Sequence, residues 1–244
     1  MSLAASPWGG STSLSRSNSL YNHLDGTEMA SMDASLAVQY GRKDWVTAAN
    51  LEASQDLRRP DESDLSGLQL SIKRKKLGIF SLGSALSLPV SKDQRLRQSL
   101  IAGISVSARA DLKPENLLSP RMSLGFALSG TRNVHTFEQK TDGSVNTQYS
   151  SRQGFDVGYE LTEKISISFG FNHIDTFSYF GGHREFYNHS EEIGFQIVKS
   201  TTLSLGHQLG APAAAIRTAN GENYNFQLTD ENQSIVYASL SVSF

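Results

Sequence analysis

Between Leu100 and Leu112 large and small side chains alternate without a break. Leu100, Ala102, Ile104, Val106, Ala108, Ala110 and Leu112 fall in one phase; Ile101, Gly103, Ser105, Ser107, Arg109 and Asp111 fall in the other. An extended chain sends successive side chains to opposite faces, so a period of two predicts a strand with one oily and one mainly polar face. The same period recurs over residues 32–40, 45–53, 68–72, 80–90, 122–128, 155–161, 165–171, 193–197, 203–209 and 236–244. Helical spacing is scarce. The connections alternate too. "GRKD" (41–44), "KRKK" (73–76), "TEK" (162–164) and "KSTT" (199–202) are short, whereas 56–64, 131–151, 175–188 and 210–233 are long and polar. "LKPENLLSP" (112–120) stands where a short one is due.

The polar phase decides the solvent. In a soluble antiparallel sheet that face meets bulk water and carries charged side chains. Here it is mostly Ser, Gly, Ala, Asn and Gln, as in Ser239, Ser241 and Ser243 near the end, and charge gathers in the turns. No second sheet or helix is available to cover the oily face. A sheet closed into a barrel with lipid outside satisfies both faces and pairs every backbone group. Alternating short and long connections predict one continuous up-and-down antiparallel sheet. Parity requires a further strand before Met29, which residues 11–24 can supply. The expectation is an all-β closed transmembrane barrel of twelve strands, or ten if two segments are one. It forms a single domain over residues 1–244, with 1–10 as a flexible leading segment. Residues 223–228 could form a loop hairpin or extend the last strand. Tyr40, Trp45, Tyr159 and Phe244 lie beside the short connections, as an interfacial girdle would.

The final strand, with Val236, Ala238, Leu240 and Val242 in one phase and a terminal Phe244, resembles the C-terminal signature of bacterial outer-membrane β-barrels; Tyr237 fits it weakly. The resemblance implies a bacterial outer-membrane location, surrounding lipid and lipopolysaccharide, and recognition of the last strand by the barrel-insertion machinery. No subfamily is matched.

Composition narrows the remaining classes. The chain has 244 residues, 38% of them hydrophobic, with a net charge of -2 and no cysteine. Thiolate metal sites and disulfides are excluded, and the charge gives no reason to expect nucleic acid. Mean hydropathy is -0.32, and no apolar run reaches the ~18–20 residues a spanning helix needs. The start, "MSLAASPWGG", lacks a basic leader region and is expected to belong to a mature chain with an added Met or to a signal cleaved near Ala5.

Candidate chemistry divides between interior and rim. Asp33, Glu52, Lys73, Arg109, Arg121, Asp156, Glu160, Asn172 and Gln196 are expected to line a lumen. They could form a polar constriction or a plugging ion-pair network; so many Ser and Gly beside them favour a narrow water path. Phe177, Tyr179, Phe180, His183, Phe186, Tyr187 and His189 are expected in an extracellular loop, as a sugar- or lipid-binding surface or as interface aromatics. His183, His189 and Glu191 match no recognised metal spacing, so neither metal nor cofactor is expected. His189 and Ser190 adjoin, but strand neighbours point apart, and no catalytic residue is assigned. Glu191 and His207 fall in the oily phase. A charge there is tolerable at the outer boundary, and His207 could sit at the interface or against a second protomer. The expected function is passage of small hydrophilic solutes by a monomer or small oligomer. A non-conducting barrel whose loops bind a surface partner is the alternative, and a lipid-modifying enzyme the third.

Overall fold

The computed structural model describes residues 6–21, 29–58, 63–112, 114–212, 229 and 233–244. Strands β1 (Trp8–Ser19), β2 (Ala30–Arg42), β3 (Trp45–Asp56), β4 (Ser63–Leu77), β5 (Phe80–Leu88) and β6 (Leu100–Leu112) form the first half of the sheet. Strands β7 (Met122–His135), β8 (Thr147–Glu160), β9 (Ile165–Ser178), β10 (His183–Val198), β11 (Thr201–Pro212) and β12 (Ser234–Ser243) form the second. Each strand pairs antiparallel with its chain neighbours, and β12 returns to β1 to close a twelve-stranded barrel. At that seam Leu14 faces Leu240. The Phe244 N–H donates to the Gly10 carbonyl at 2.9 Å, and the Gly10 N–H donates to the Phe244 carbonyl at 2.8 Å. Closure leaves no sheet edge with unpaired backbone groups, which hydrocarbon would not tolerate.

Register sorts the side chains into rows. Leu36, Leu51, Leu68 and Leu88 stand opposite one another across β2–β5 on the outer face. Ser81, Arg109, Ala127, Gly154 and Asn172 follow one another across β5–β9 on the inner face. The oily rows are open: Val106 is 61% exposed and Leu128 56%. Among the described residues the single buried apolar side chain is Leu209, and its row, with His189 and Ser234, is an outer one. The barrel thus has no oily core; its apolar surface points away from the axis. Trp8 packs on Tyr40 with ring centroids 4.9 Å apart, and Arg74 lies over Trp45 at 5.7 Å, adding to the aromatics at the short-turn end.

Several expected boundaries move. Residues 8–10 begin β1 and so do not belong to a leading segment. "KRKK" is part of β4, and the turn is Gly78–Ile79, with Gly78 at φ 73°. The connection read as 131–151 shrinks to 136–146, and the one read as 175–188 shrinks to 179–182. Phe177, His183, Phe186, Tyr187 and His189 are therefore strand residues of β9 and β10, and of the expected loop set Tyr179 and Phe180 alone lie in the connection. The ladder continues past the height at which outward positions stop being oily, so the alternation fades before the strands end. Residues 223–228 lie outside the described residues.

Candidate functional site

The inner face carries small side chains in long files: Ser11, Ser13, Ser15 and Ser17 on β1, opposite Ser239, Ser241 and their neighbours on β12. The register sets Asp33, Glu52, Lys73, Arg109, Asp156, Glu160, Asn172 and Gln196 on that face. Arg121, ahead of β7, donates from Nη1 to the Leu161 carbonyl at 3.2 Å, at the short-turn end. Of these residues the structure joins Arg109 to Asp156 and Asn172 to its β10 neighbour Asn188, through a 2.9 Å hydrogen bond from Asn172 Nδ2. Arg109 Nη1 and Nη2 donate to the two Asp156 oxygens at 2.6 and 2.9 Å, a bidentate pair, while Nε donates to Asp111 at 2.6 Å. The guanidinium crosses strand β7 to reach β8. It passes over Gly125, where any Cβ would collide with it.

Elsewhere on the inner face two acids have neutral partners. Asp33 accepts from Ser54 at 2.6 Å and Ser31 at 3.0 Å, and Glu52 accepts from Asn50 at 2.7 Å. Charged inner residues outside the expected set include Asp111, Arg152, Arg184 and Glu192, and Tyr237 shares their face. Tyr237, a weak fit to the terminal signature, lies in the phase of Ser239 and Ser241 and turns inward with them. Its hydroxyl donates to Glu192 at 2.9 Å, and its ring occupies the space that Gly206 leaves without a side chain. Phase alone identifies Asp111; Arg152 and Glu192 fall between the connections read as 131–151 and 175–188 and the alternation that follows each, and Arg184 falls inside the second connection.

The outer face carries Arg16 on β1 and Arg132 on β7, and gathers most of its titratable side chains across β9–β11. There His189 Nδ1 and His207 Nδ1 each lie 2.8 Å from one oxygen of Glu191. The three residues share the outer rows of β10 and β11 with Phe169, Leu205 and Val236. A carboxylate accepts only, so each imidazole presents Nδ1–H to it, and Glu191 is balanced by two donors in an otherwise oily wall. Glu191 sits mid-strand in β10, and its two partners make a charge on the outer face tolerable. Beside it lies a depression of about 560 Å³ bordered by Tyr159, Ile167, Phe169, Ile193 and Leu205. Ser190 points to the inner face, opposite Gly170 and Gln208, whereas His189 faces outward.

The geometry has close counterparts among solved structures. An outer-membrane channel from Pseudomonas putida F1 superposes with a TM-score of 0.61 at 10% identity, covering 100% of this chain and 97% of the other. The NanC porin superposes with a TM-score of 0.59 at 9% identity over 96% of this chain and 98% of the other. The KdgM porin, solved in complex with disordered oligogalacturonate, gives 0.54 at 8% identity over 96% and 99%. The fold is that of the bacterial outer-membrane β-barrels. No protein-family model matches the chain, and no curated protein matches it in sequence. At these identities the likeness is one of fold, and no residue role passes across.

In outer-membrane barrels the long connections gather at one rim. Here three of the connections at that rim are knit together. Asn146, buried to 1% exposure, donates from Nδ2 to the carbonyls of Gln98 at 2.8 Å and Phe137 at 2.9 Å. Arg97 pairs with Asp142 at 2.7 Å, the Thr141 N–H donates to the Arg97 carbonyl at 3.1 Å, and the Tyr179 hydroxyl donates to the Asn133 carbonyl at 3.3 Å. Hydrogen bonds from Ser144 and the Arg97 guanidinium hold the Asp142 carboxyl well below the usual carboxylate range, and Asp142 with Asp93 raises Arg97.

Proposed function

We propose that this chain is a channel of a bacterial outer membrane that passes small hydrophilic solutes through a narrow polar interior. One observation carries the reading. Among the described residues no apolar side chain is buried on the inner face, which is built mainly from Ser, Gly, Ala, amides and scattered charges, with Ile174 and Phe186 towards the end of β9 and the start of β10. A barrel of about this strand number lies between eight-stranded barrels filled by side chains and wide porins, so a small-residue lining favours a water path. The solved structures of similar fold include a channel and two porins, which supports the class without naming a solute.

Arg109 is outnumbered by Asp156 and Asp111, while Asp33 and Glu52 hold only neutral donors. This argues for a preference for cations or neutral solutes over anions. The surroundings are lipid and lipopolysaccharide, and the last strand, with Val236, Ala238, Leu240, Val242 and Phe244, is the segment for the insertion machinery to read. The knitted rim gives the second reading, a non-conducting barrel that displays a fixed surface to a partner. Recording single channels in a planar bilayer separates the two. Stable ohmic conductance with a modest cation preference is expected for the channel; silence from folded protein would sink it and leave the displayed rim.

A further inference from the structure

We propose that Asp175, His183 and Glu185, with His173 as a fourth donor, form a zinc site on the outer face of β9 and β10, next to the 179–182 connection. The register sets Glu185 directly opposite Asp175, with His183 two residues from Glu185 on β10 and His173 two residues from Asp175 on β9. All four thus share one face on two neighbouring strands. Two carboxylates directly opposite in a sheet repel each other, and a cation held between them would relieve that repulsion. Ligand atoms of Asp175, His183 and Glu185 already lie within 4.8 Å of one another. His183 Nε2 is 2.9 Å from Asp175 Oδ1, and His173 Nδ1 is 3.7 Å from Asp175 Oδ2.

Both imidazoles are held in place by aromatic neighbours. His183 stacks on Phe177 with centroids 4.8 Å apart and planes at 12°, and His173 stacks on Tyr187 at 4.7 Å and 25°. Gln153 Nε2 donates to His173 Nδ1 at 3.0 Å, so that nitrogen carries a lone pair on the side facing Asp175. Metal binding would exchange this one donation for coordination. Two neutral imidazoles and two carboxylates balance a divalent charge and match the N/O donor set of four-coordinate zinc; calcium and magnesium take all-oxygen shells. Strand spacing hides the set in the sequence, because His173 and Asp175 meet His183 and Glu185 only through the register. A bound ion would cross-link β9 to β10 beneath the connection that carries Tyr179, and so brace the knitted rim.

The test uses full-length protein purified in detergent without a histidine tag and stripped with a chelator. Zinc is titrated in competition with a fluorescent chelator, and cobalt(II) is used separately as a spectroscopic probe. The expected result is one saturable site, with visible cobalt bands of nitrogen and oxygen ligation and a rise in the thermal unfolding temperature when zinc is present. His183→Gln and Asp175→Asn should each weaken zinc by about tenfold or more, while His207→Leu, in the other histidine cluster, should leave it unchanged. Heat-modifiable gel mobility checks that each variant folds. The proposal is overturned by absence of saturable binding at about 100 μM zinc, a concentration well above working affinities for such donor sets. It is equally overturned by binding that survives both substitutions or disappears with His207→Leu.

Discussion

The outer wall of β2–β6 and the outer wall of β9–β11 face the same solvent and are built differently. Across β2–β6 the outward rows read Leu36, Leu51, Leu68 and Leu88, then Leu70, Leu86 and Ile104, with no titratable group among them. Across β9–β11 the corresponding rows read Phe169, Glu191 and His207, and above them Phe171, His189 and Leu209. The first wall needs no specific partners because acyl chains satisfy it. The second holds a carboxylate that acyl chains cannot satisfy, and supplies two imidazole donors from within the wall itself. An ionisable group on a lipid-facing strand is costly, and its presence with dedicated partners marks where the molecule does more than span.

The largest effect should come from breaking the plain wall. Leu70→Arg puts a guanidinium among Ala49, Leu68, Ile72 and Leu86 with no counter-group on the same face, and should destabilise the barrel by about 2–4 kcal/mol if that position is near the bilayer midplane. Urea unfolding in lipid vesicles reads this directly. A near-zero effect would mean that this face is not against hydrocarbon.

Next comes the inlaid wall. His207→Leu removes one of Glu191's two donors, and hydrogen bonds to charged groups are worth about 1.5–3 kcal/mol. Replacing His189, Glu191 and His207 together by Leu should restore stability to the original level or above, since an ion cluster traded for well-packed apolar residues is often neutral or stabilising. If the triple variant is no more stable than His207→Leu alone, the cluster is part of the packing of this wall and the contrast with β2–β6 weakens.

The two halves also differ inside. Lys73, on the inner face of β4, has no hydrogen-bond or ion-pair partner among the described residues, whereas Arg109 on β6 is committed to Asp156 and Asp111. Lys73→Ser should shift reversal potential toward cations and leave unfolding unchanged. Arg109→Ser should shift it the same way and also lower stability, by no more than about 1 kcal/mol because the pairs are partly open to water. Equal stability for the two variants would show that the Arg109 network is solvated and not structural.

What the chain disclosed before its structure follows the same division. Strand β6 is readable to both ends because its outward side is oily throughout, from Leu100 to Leu112. Strands β9 and β10 were readable only in their lower parts, since His173, Asp175, His183 and Glu185 replace oily residues outward above Phe171 and Glu191. Alternation reports the hydrocarbon band; it does not report the hydrogen-bond ladder that runs beyond it. The phase also marked Glu191 and His207 as discordant, yet could not show that they meet, because that depends on the register set by the turn at 199–200. Arg109 was assigned to its face by phase, but its bidentate partner lies 47 residues away, across a strand whose glycine permits the reach.

The smallest effect is expected where both walls end, at the knitted rim. Asp142 has its carboxyl pKa depressed by Ser144 and Arg97, so the ionised form is favoured in the folded rim. A depressed carboxyl contributes in full above its unfolded value, near about 4, and the contribution is lost as pH falls through the lower folded value. The Thr141 amide, bonded to the Arg97 carbonyl at 3.1 Å, reports the tie. Its exchange protection should persist as pH falls through the ordinary carboxylate range and decline only below it. Asp142→Asn should reduce that protection already at neutral pH, leaving the barrel amides of β6 and β7 as slow as before. Loss of Thr141 protection at the same pH in both proteins would mean that Asn146, with its two carbonyl bonds, holds this rim without help from the ion pair.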